Sequence, residues 1–303
     1  MATTAQPTLS KRDALLGFGL AAFAAIGFSG KAILVKLAYY DPVDAVSLLA
    51  LRMLFSAPFF LIVALRHAGD SSASRLRGKD YLAVLLLGLL GYYLSSLFDF
   101  IGLQYISAGL ERLILFLYPT FVVLLSALLL GKAFGRKEIV ALLLSYAGIA
   151  VVFFDELHVQ SEHLLMGAGF VLASTLTYAA YLIGTGETVA RIGASRFTAY
   201  AMLVACAATV LQFLLTHPPQ ALLLPKRVYE LSLVMAIVST VLPVFMLSAA
   251  IRLIGSGHAS LIGSIGPVST LVLAAVFLGE QLTMQQIGGA ALVMVGVLSL
   301  TLK

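Results

Sequence analysis

Gly257 to Gly296 reads GHASLIGSIGPVSTLVLAAVFLGEQLTMQQIGGAALVMVG, two apolar stretches joined by the short polar break GEQLT, with Pro267 inside the first. The same pattern stands earlier, from Gly109 to Gly148: GLERLILFLYPTFVVLLSALLLGKAFGRKEIVALLLSYAG. Gly109 aligns with Gly257, Pro119 with Pro267, Gly131 with Gly279 and Gly148 with Gly296, every pair at one offset (257 − 109 = 148) and without a gap. Leu113/Leu261, Leu125/Leu273, Ala127/Ala275, Leu130/Leu278 and Ile139/Ile287 share that register. An offset near half of 303 residues marks a duplicated unit.

Composition decides the solvent. The chain is 61% hydrophobic and 11% charged, against about 25% charged in soluble domains. So few charges do not cover a water-facing surface, and lipid is the expected surrounding. The net charge of +5 therefore says little about nucleic acid, and no nucleic-acid partner is expected. Cys206 is the single cysteine, which excludes a disulfide framework or a cysteine-based metal site.

Apolar runs follow one another at 14–39, 44–65, 81–103, 107–130, 138–154, 164–186, 196–216, 229–252, 257–279 and 284–302. Each approaches the roughly 20 residues that cross the hydrocarbon as a helix, so ten spans are expected. The first is longer than the roughly 7–15 residues of a signal-peptide core and reads as a retained span after a tail over 1–13. Connections are short; only 66–80 and 217–229 are longer. With the N-terminus inside, Lys11, Arg12, Arg66, Arg75, Arg77, Lys79, Lys132, Arg136, Lys137, Arg191, Arg196, Arg252 and Lys303 fall on the inner side, and only Lys226 and Arg227 outside. That bias orients both termini to the cytoplasm.

Five spans per half is an odd number, so the halves 14–155 and 156–303 run through the membrane in opposite senses. The fold expected is all-α and integral to the membrane, ten helices in two inverted five-helix repeats. Such repeats build transporters with a site between the halves near the midplane.

GFSGKAILVKLAYYDPVDAVSLLALRMLFS, with Lys36 and Arg52, and the closing IGSGHASLIGSIGPVSTLVLAAVFLGEQLTMQQIGGAALVMVGV resemble the drug/metabolite transporter superfamily in its ten-span branch with two EamA domains. The resemblance covers about Leu15 to Leu300. It implies a bacterial inner-membrane exporter of amino acids or related metabolites. Two positions depart from the family pattern: Lys132 stands where the first repeat has an acid (Glu280 keeps it in the second), and Ile26 replaces the tryptophan of span one.

Charges inside spans need a partner, water or an interface, because each costs about 2.5–3.5 kcal/mol at the bilayer centre on insertion scales. Lys36 is expected to snorkel to the outer interface. Lys31 either faces an aqueous cavity or pairs with an acid of another span. Asp99 shares a helical face with Tyr92 and with Ser95 or Ser96, at i, i+3/i+4 and i+7. This face reads either as a cavity wall taking an ammonium group or a proton, or as half of an ion pair with Arg112. Ser174, Tyr178 and Tyr181 repeat the pattern in span six. Ser239-Thr240 with Pro243, and Ser260/Ser264 with Pro267, mark local helix irregularity. The substrate-binding candidates are Lys31, Tyr92, Ser96, Asp99, Ser174, Tyr178, Tyr181 and Ser239. His258 reads as a helix-end hydrogen-bonding group.

No phosphate-loop GxxxxGK[ST] occurs, metal-ligand pairs at helical spacing are missing, and His158/His163 sit in or near a short turn. No enzyme, cofactor or metal is expected. The reading is a monomeric secondary transporter exporting a small metabolite, an amino acid before a drug or other cation. A non-transporting sensor or lipid-binding scaffold is the alternative from another class.

Overall fold

The computed structural model describes residues 11–68, 76–131, 135–157 and 163–301. Residues 1–10, Arg75, Lys132, His158 and Lys303, on which the sequence reading drew, lie outside the described residues, as do the side chains of Lys11, Lys137 and Ser260. Everything described is helical or connecting. Among the described residues nine helices are long and apolar enough to cross a bilayer. They are span 1 (Arg12–Ala38), span 2 (Ala45–His67), span 3 (Gly78–Gly102), span 4 (Ala108–Leu129), span 5 (Ile139–Leu157), span 6 (Leu164–Gly186), span 7 (Ala194–Thr216), span 8 (Lys226–Gly255) and span 9 (Leu261–Leu278). A shorter apolar helix, Met284–Ser299, is span 10.

The packing carries the duplication into three dimensions. Span 1 packs on spans 8 and 9, span 6 on spans 3 and 4, span 2 on spans 7 and 8, and span 3 on span 7; spans 4 and 9, and 5 and 10, pair directly. Exchanging every span for its counterpart five along maps this set onto itself. The two halves are thus related as inverted repeats about an axis in the membrane plane.

Backbone breaks repeat as well. A π-helical turn at Leu89–Leu94 in span 3 has its counterpart at Ile237–Val241 in span 8. Span 4 breaks between Ala108–Leu115 and Tyr118–Leu130, with Pro119 in the first turn of the second piece. Span 9 breaks likewise before Gly266–Leu278, with Pro267 in its first turn. Both spans end on a left-handed glycine, Gly131 (φ 63°) and Gly279 (φ 69°), a conformation a Cβ disfavours. The helix irregularities expected at Ser239–Pro243 and around Ser264–Pro267 are these features. Lipid supplies no hydrogen bonds, so such breaks stand where protein or a water-filled space satisfies the backbone.

Spans 5 and 10 meet at backbone distance: a Cβ on Gly148 would stand 2.5 Å from the Gly289 carbonyl, and one on Gly296 2.5 Å from Ser145 Oγ. Small residues at a crossing let helices gain contact where no hydrophobic driving force separates them from lipid.

Candidate functional site

A cavity of about 630 Å³ lies between the halves. Its deep wall carries Lys31 from span 1, Arg52 from span 2, Tyr92, Ser95, Ser96 and Asp99 from span 3, and Arg112 and Tyr118 from span 4. Ser174 and Tyr178 come from span 6, and Ser239 and Thr240 from span 8. The lining continues through Ala194, Ile251 and Ala259 toward the membrane face that carries the chain's start, and Ile251 there keeps 41% exposure.

The opposite end is shut by hydrogen bonds between the halves. The Ala108 N–H, at the start of span 4, donates to Glu280 Oε1 (3.1 Å), and Thr283 Oγ1 donates to Asp155 Oδ2 (2.8 Å). Ser107 caps span 4 by accepting from the Leu110 N–H (3.0 Å) and donates to Glu156. Lys36 does not snorkel. Its ammonium donates to the Leu103 and Ile106 carbonyls at 3.2 and 3.0 Å, groups left free where span 3 ends. Tyr39 Oη donates to the Phe100 carbonyl (2.7 Å) beside them.

At the floor of the cavity Lys31 meets two acids, Asp99 Oδ2 at 2.5 Å and Glu111 Oε1 at 3.3 Å. Asp99 and Glu111 are buried, and Lys31 keeps 18% side-chain exposure. Both halves of the alternative posed for Lys31 hold: it lines the cavity and pairs with an acid of another span. The Asp99–Arg112 pair does not form. A basic residue on a third helix lies closer to Asp99, and Arg112 turns elsewhere.

The aromatic wall is continuous. Tyr118 and Tyr178 meet edge-on at 5.5 Å, Tyr178 stacks on Tyr181 at 5.5 Å, and Tyr181 meets Tyr92 at 5.2 Å. Tyr181 is not at the cavity surface: it is buried, and its hydroxyl donates to Tyr92 Oη at 3.0 Å from behind. Gly91 makes room for it, since a Cβ there would fall 2.2 Å from the Tyr181 ring. Ser174 Oγ donates to the Ser95 carbonyl (2.7 Å) and faces Ser95 Oγ (3.1 Å). Both Ser95 and Ser96 line the cavity, because the π turn just before them widens the face that regular periodicity assigns to one of the two. Ser239 Oγ is buried at the wall without a hydrogen-bond partner. Seven of the eight candidates thus share one cavity.

Sequence reasoning passed over Glu111 and Tyr118 as site residues, and weighed Arg112 only as an ion-pair partner of Asp99. Arg52 lies over the Phe100 ring at 5.2 Å with Nη2 at 3.5 Å from Ser96 Oγ. Among the described residues no group of three His, Cys, Asp or Glu is arranged to hold a metal. His258 Nδ1 lies 3.0 Å from the Ile254 carbonyl, a helix-end contact.

Comparison with known proteins matches residues 15–154 and 165–302 to the EamA-like transporter family. The chain is 31% identical over 293 residues to the uncharacterized transporter YcbK of Bacillus subtilis (94% of this chain, 93% of that one). It is 25% identical to the uncharacterized transporter YyaM of the same organism (94% and 91% covered). A solved structure titled only as a crystal structure of a protein superposes with TM-score 0.65 at 19% identity, covering 96% of this chain and 97% of the other, which bears on the fold alone.

Proposed function

Because this chain belongs to the EamA-like transporter family and is a membrane transporter, we propose that it exports small metabolites, foremost amino acids with apolar or aromatic side chains. One observation carries the reading: the cavity between the repeats reaches one membrane face and is shut from the other by bonds that join the halves. A site accessible from one side at a time is what alternating access requires, and rocking one repeat against the other would exchange the sides. The positive-inside bias supports cytoplasmic termini in a bacterial plasma membrane, so the cavity as it stands faces the cytoplasm, where an exporter collects its cargo. Its walls join aromatic faces, hydroxyls and both signs of charge, an inventory suited to a zwitterion with an apolar body. A cationic-drug exporter fits less well, since both acids already face Lys31. The monomer is the functional unit of this reading.

The test is uptake of radiolabelled amino acids into proteoliposomes, with and without a pH gradient. Saturable, protein-dependent flux of phenylalanine, tyrosine or leucine is expected. Flux of quaternary amines with none of amino acids would remove the amino-acid reading.

A further inference from the structure

We propose that Arg112 anchors a substrate carboxylate, so that the cavity selects molecules joining one carboxylate to an apolar or aromatic body. This deepens the reading above and rests on the same cavity being the transport site.

The argument begins with charge. Lys31, Arg52 and Arg112 stand at the wall against Asp99 and Glu111, leaving one positive charge in excess. Lys31 answers both acids; Arg52 lies over Phe100 and donates to Ser96, while its own Nε and Nη1 are buried without a hydrogen-bond partner. Arg112 forms no ion pair among the described residues, and its Nε is buried without a hydrogen-bond partner. A guanidinium left so inside a membrane protein is costly unless an anion completes it. A carboxylate matches its donor fork with two parallel hydrogen bonds.

Geometry fixes where the guanidinium sits. The Arg112 guanidinium lies against Gly266, where a Cβ would stand 2.6 Å from Nη2. The position is fixed, because the Gly266 carbonyl accepts from Ser29 Oγ (2.9 Å) and Thr270 Oγ1 (3.2 Å). In the other repeat the matching position is Tyr118 (266 − 118 = 148), so the glycine is where the two repeats part ways. Gly266 also starts the second piece of span 9, whose positive dipole end adds to the guanidinium instead of offsetting it. Tyr118 and Tyr178, both at the cavity surface, offer rings to the rest of the ligand.

The experiment follows thermal unfolding of the purified full chain in detergent through exposure of Cys206, the sole and buried thiol, against phenylalanine, 3-phenylpropionate, phenylethylamine and phenylalaninamide. Both carboxylates should stabilise saturably, and the amine and amide should need roughly ten- to a hundredfold higher concentration. Arg112→Gln should erase that difference, and Arg112→Lys, which keeps the charge without the fork, should retain part of it. Equal stabilisation by acid and amine, stabilisation by none of the four, or a Gln variant with wild-type discrimination overturns the proposal. If Arg112→Gln does not fold, the wild-type panel and the Lys variant decide. Stabilisation by phenylpropionate alone, with no amino-acid flux in proteoliposomes, supports the anchor and overturns the amino-acid reading.

Discussion

Removing Lys31 should harm the protein more than removing the acid it touches most closely. Lys31→Met strands two buried carboxylates, Asp99 and Glu111. Breaking a buried pair from one side costs about 3–5 kcal/mol, since the partner charge is left without compensation. Arg52 and Arg112 remain on the same wall and draw the cost toward the lower figure. Asp99→Asn keeps the side-chain shape and leaves Lys31 its second partner, Glu111 at 3.3 Å. The loss is then one hydrogen bond between charged groups, about 1.5–3 kcal/mol. In the double variant one of the stranded carboxylates is gone, so stability should partly recover relative to Lys31→Met. Unfolding of the detergent-solubilised protein with denaturant, read by Cys206 exposure, orders the three. If Asp99→Asn is as damaging as Lys31→Met, or the double variant is no better than Lys31→Met, the triad is not the unit described.

At the crossing of spans 5 and 10, Gly148→Leu should cost at least about 1–3 kcal/mol by overpacking, because its Cβ would meet the Gly289 carbonyl at 2.5 Å. Gly169→Leu, with open space at the same atom, should be tolerated, and comparing folded yield and melting temperature tests both. At the closed end, Glu280→Ala removes the acceptor of the Ala108 N–H, a capping loss of about 0.5–2 kcal/mol. It should raise labelling of a cysteine placed at Ser96 by an impermeant thiol reagent from that face; unchanged labelling would mean the bond is no latch. In the turn between spans 1 and 2, burial pushes the Asp44 carboxyl up, but bonds from the Ser47 hydroxyl and N–H, the nearby His217 and the Val46 N–H together hold it below the ordinary range. Its folded value is thus below its unfolded one. The stability it contributes is present above about pH 4 and is lost as pH falls through the lower folded value. The stability gap between wild type and Asp44→Asn should therefore narrow on acidification through that window, and a constant gap would contradict it.

Spans, repeat and inversion were legible because they rest on local quantities: run length, the fixed offset of prolines and glycines, and an odd number of crossings per half. Most of the cavity wall was legible for a similar reason, since Tyr92/Asp99 and Ser174/Tyr178 share helical faces by spacing alone. What escaped depends on distant partners. Tyr181 lies on the right face, but Tyr92 reaches across from span 3 and covers it. Lys36 has the length to snorkel, yet the end of span 3 brings it two carbonyls. Arg112 and Gly266 are unremarkable until spans 4 and 9 are set side by side. The π turns have no signature residue, and only their recurrence at the repeat offset marks them as built in.

That recurrence sharpens a division of labour between the repeats. Backbone irregularities are duplicated: π turns in spans 3 and 8, broken helices in spans 4 and 9. Side chains at matching positions are not. Asp99, Glu111 and Tyr118 in the first repeat correspond to Leu247, Ala259 and Gly266 in the second. Leu247 and Ala259 line the same cavity, and Gly266 receives Arg112. In the proposed alternating-access reading, paired breaks serve a motion that must work in both directions, so symmetry there is useful. A cargo with a charged head and an apolar body has no twofold axis, so its site must break the symmetry of the fold that moves it. Charge is concentrated on one repeat, and space and apolar surface on the other. In the proposed reading the two faces of such a cavity bind different ends of one molecule and orient it before the repeats rock.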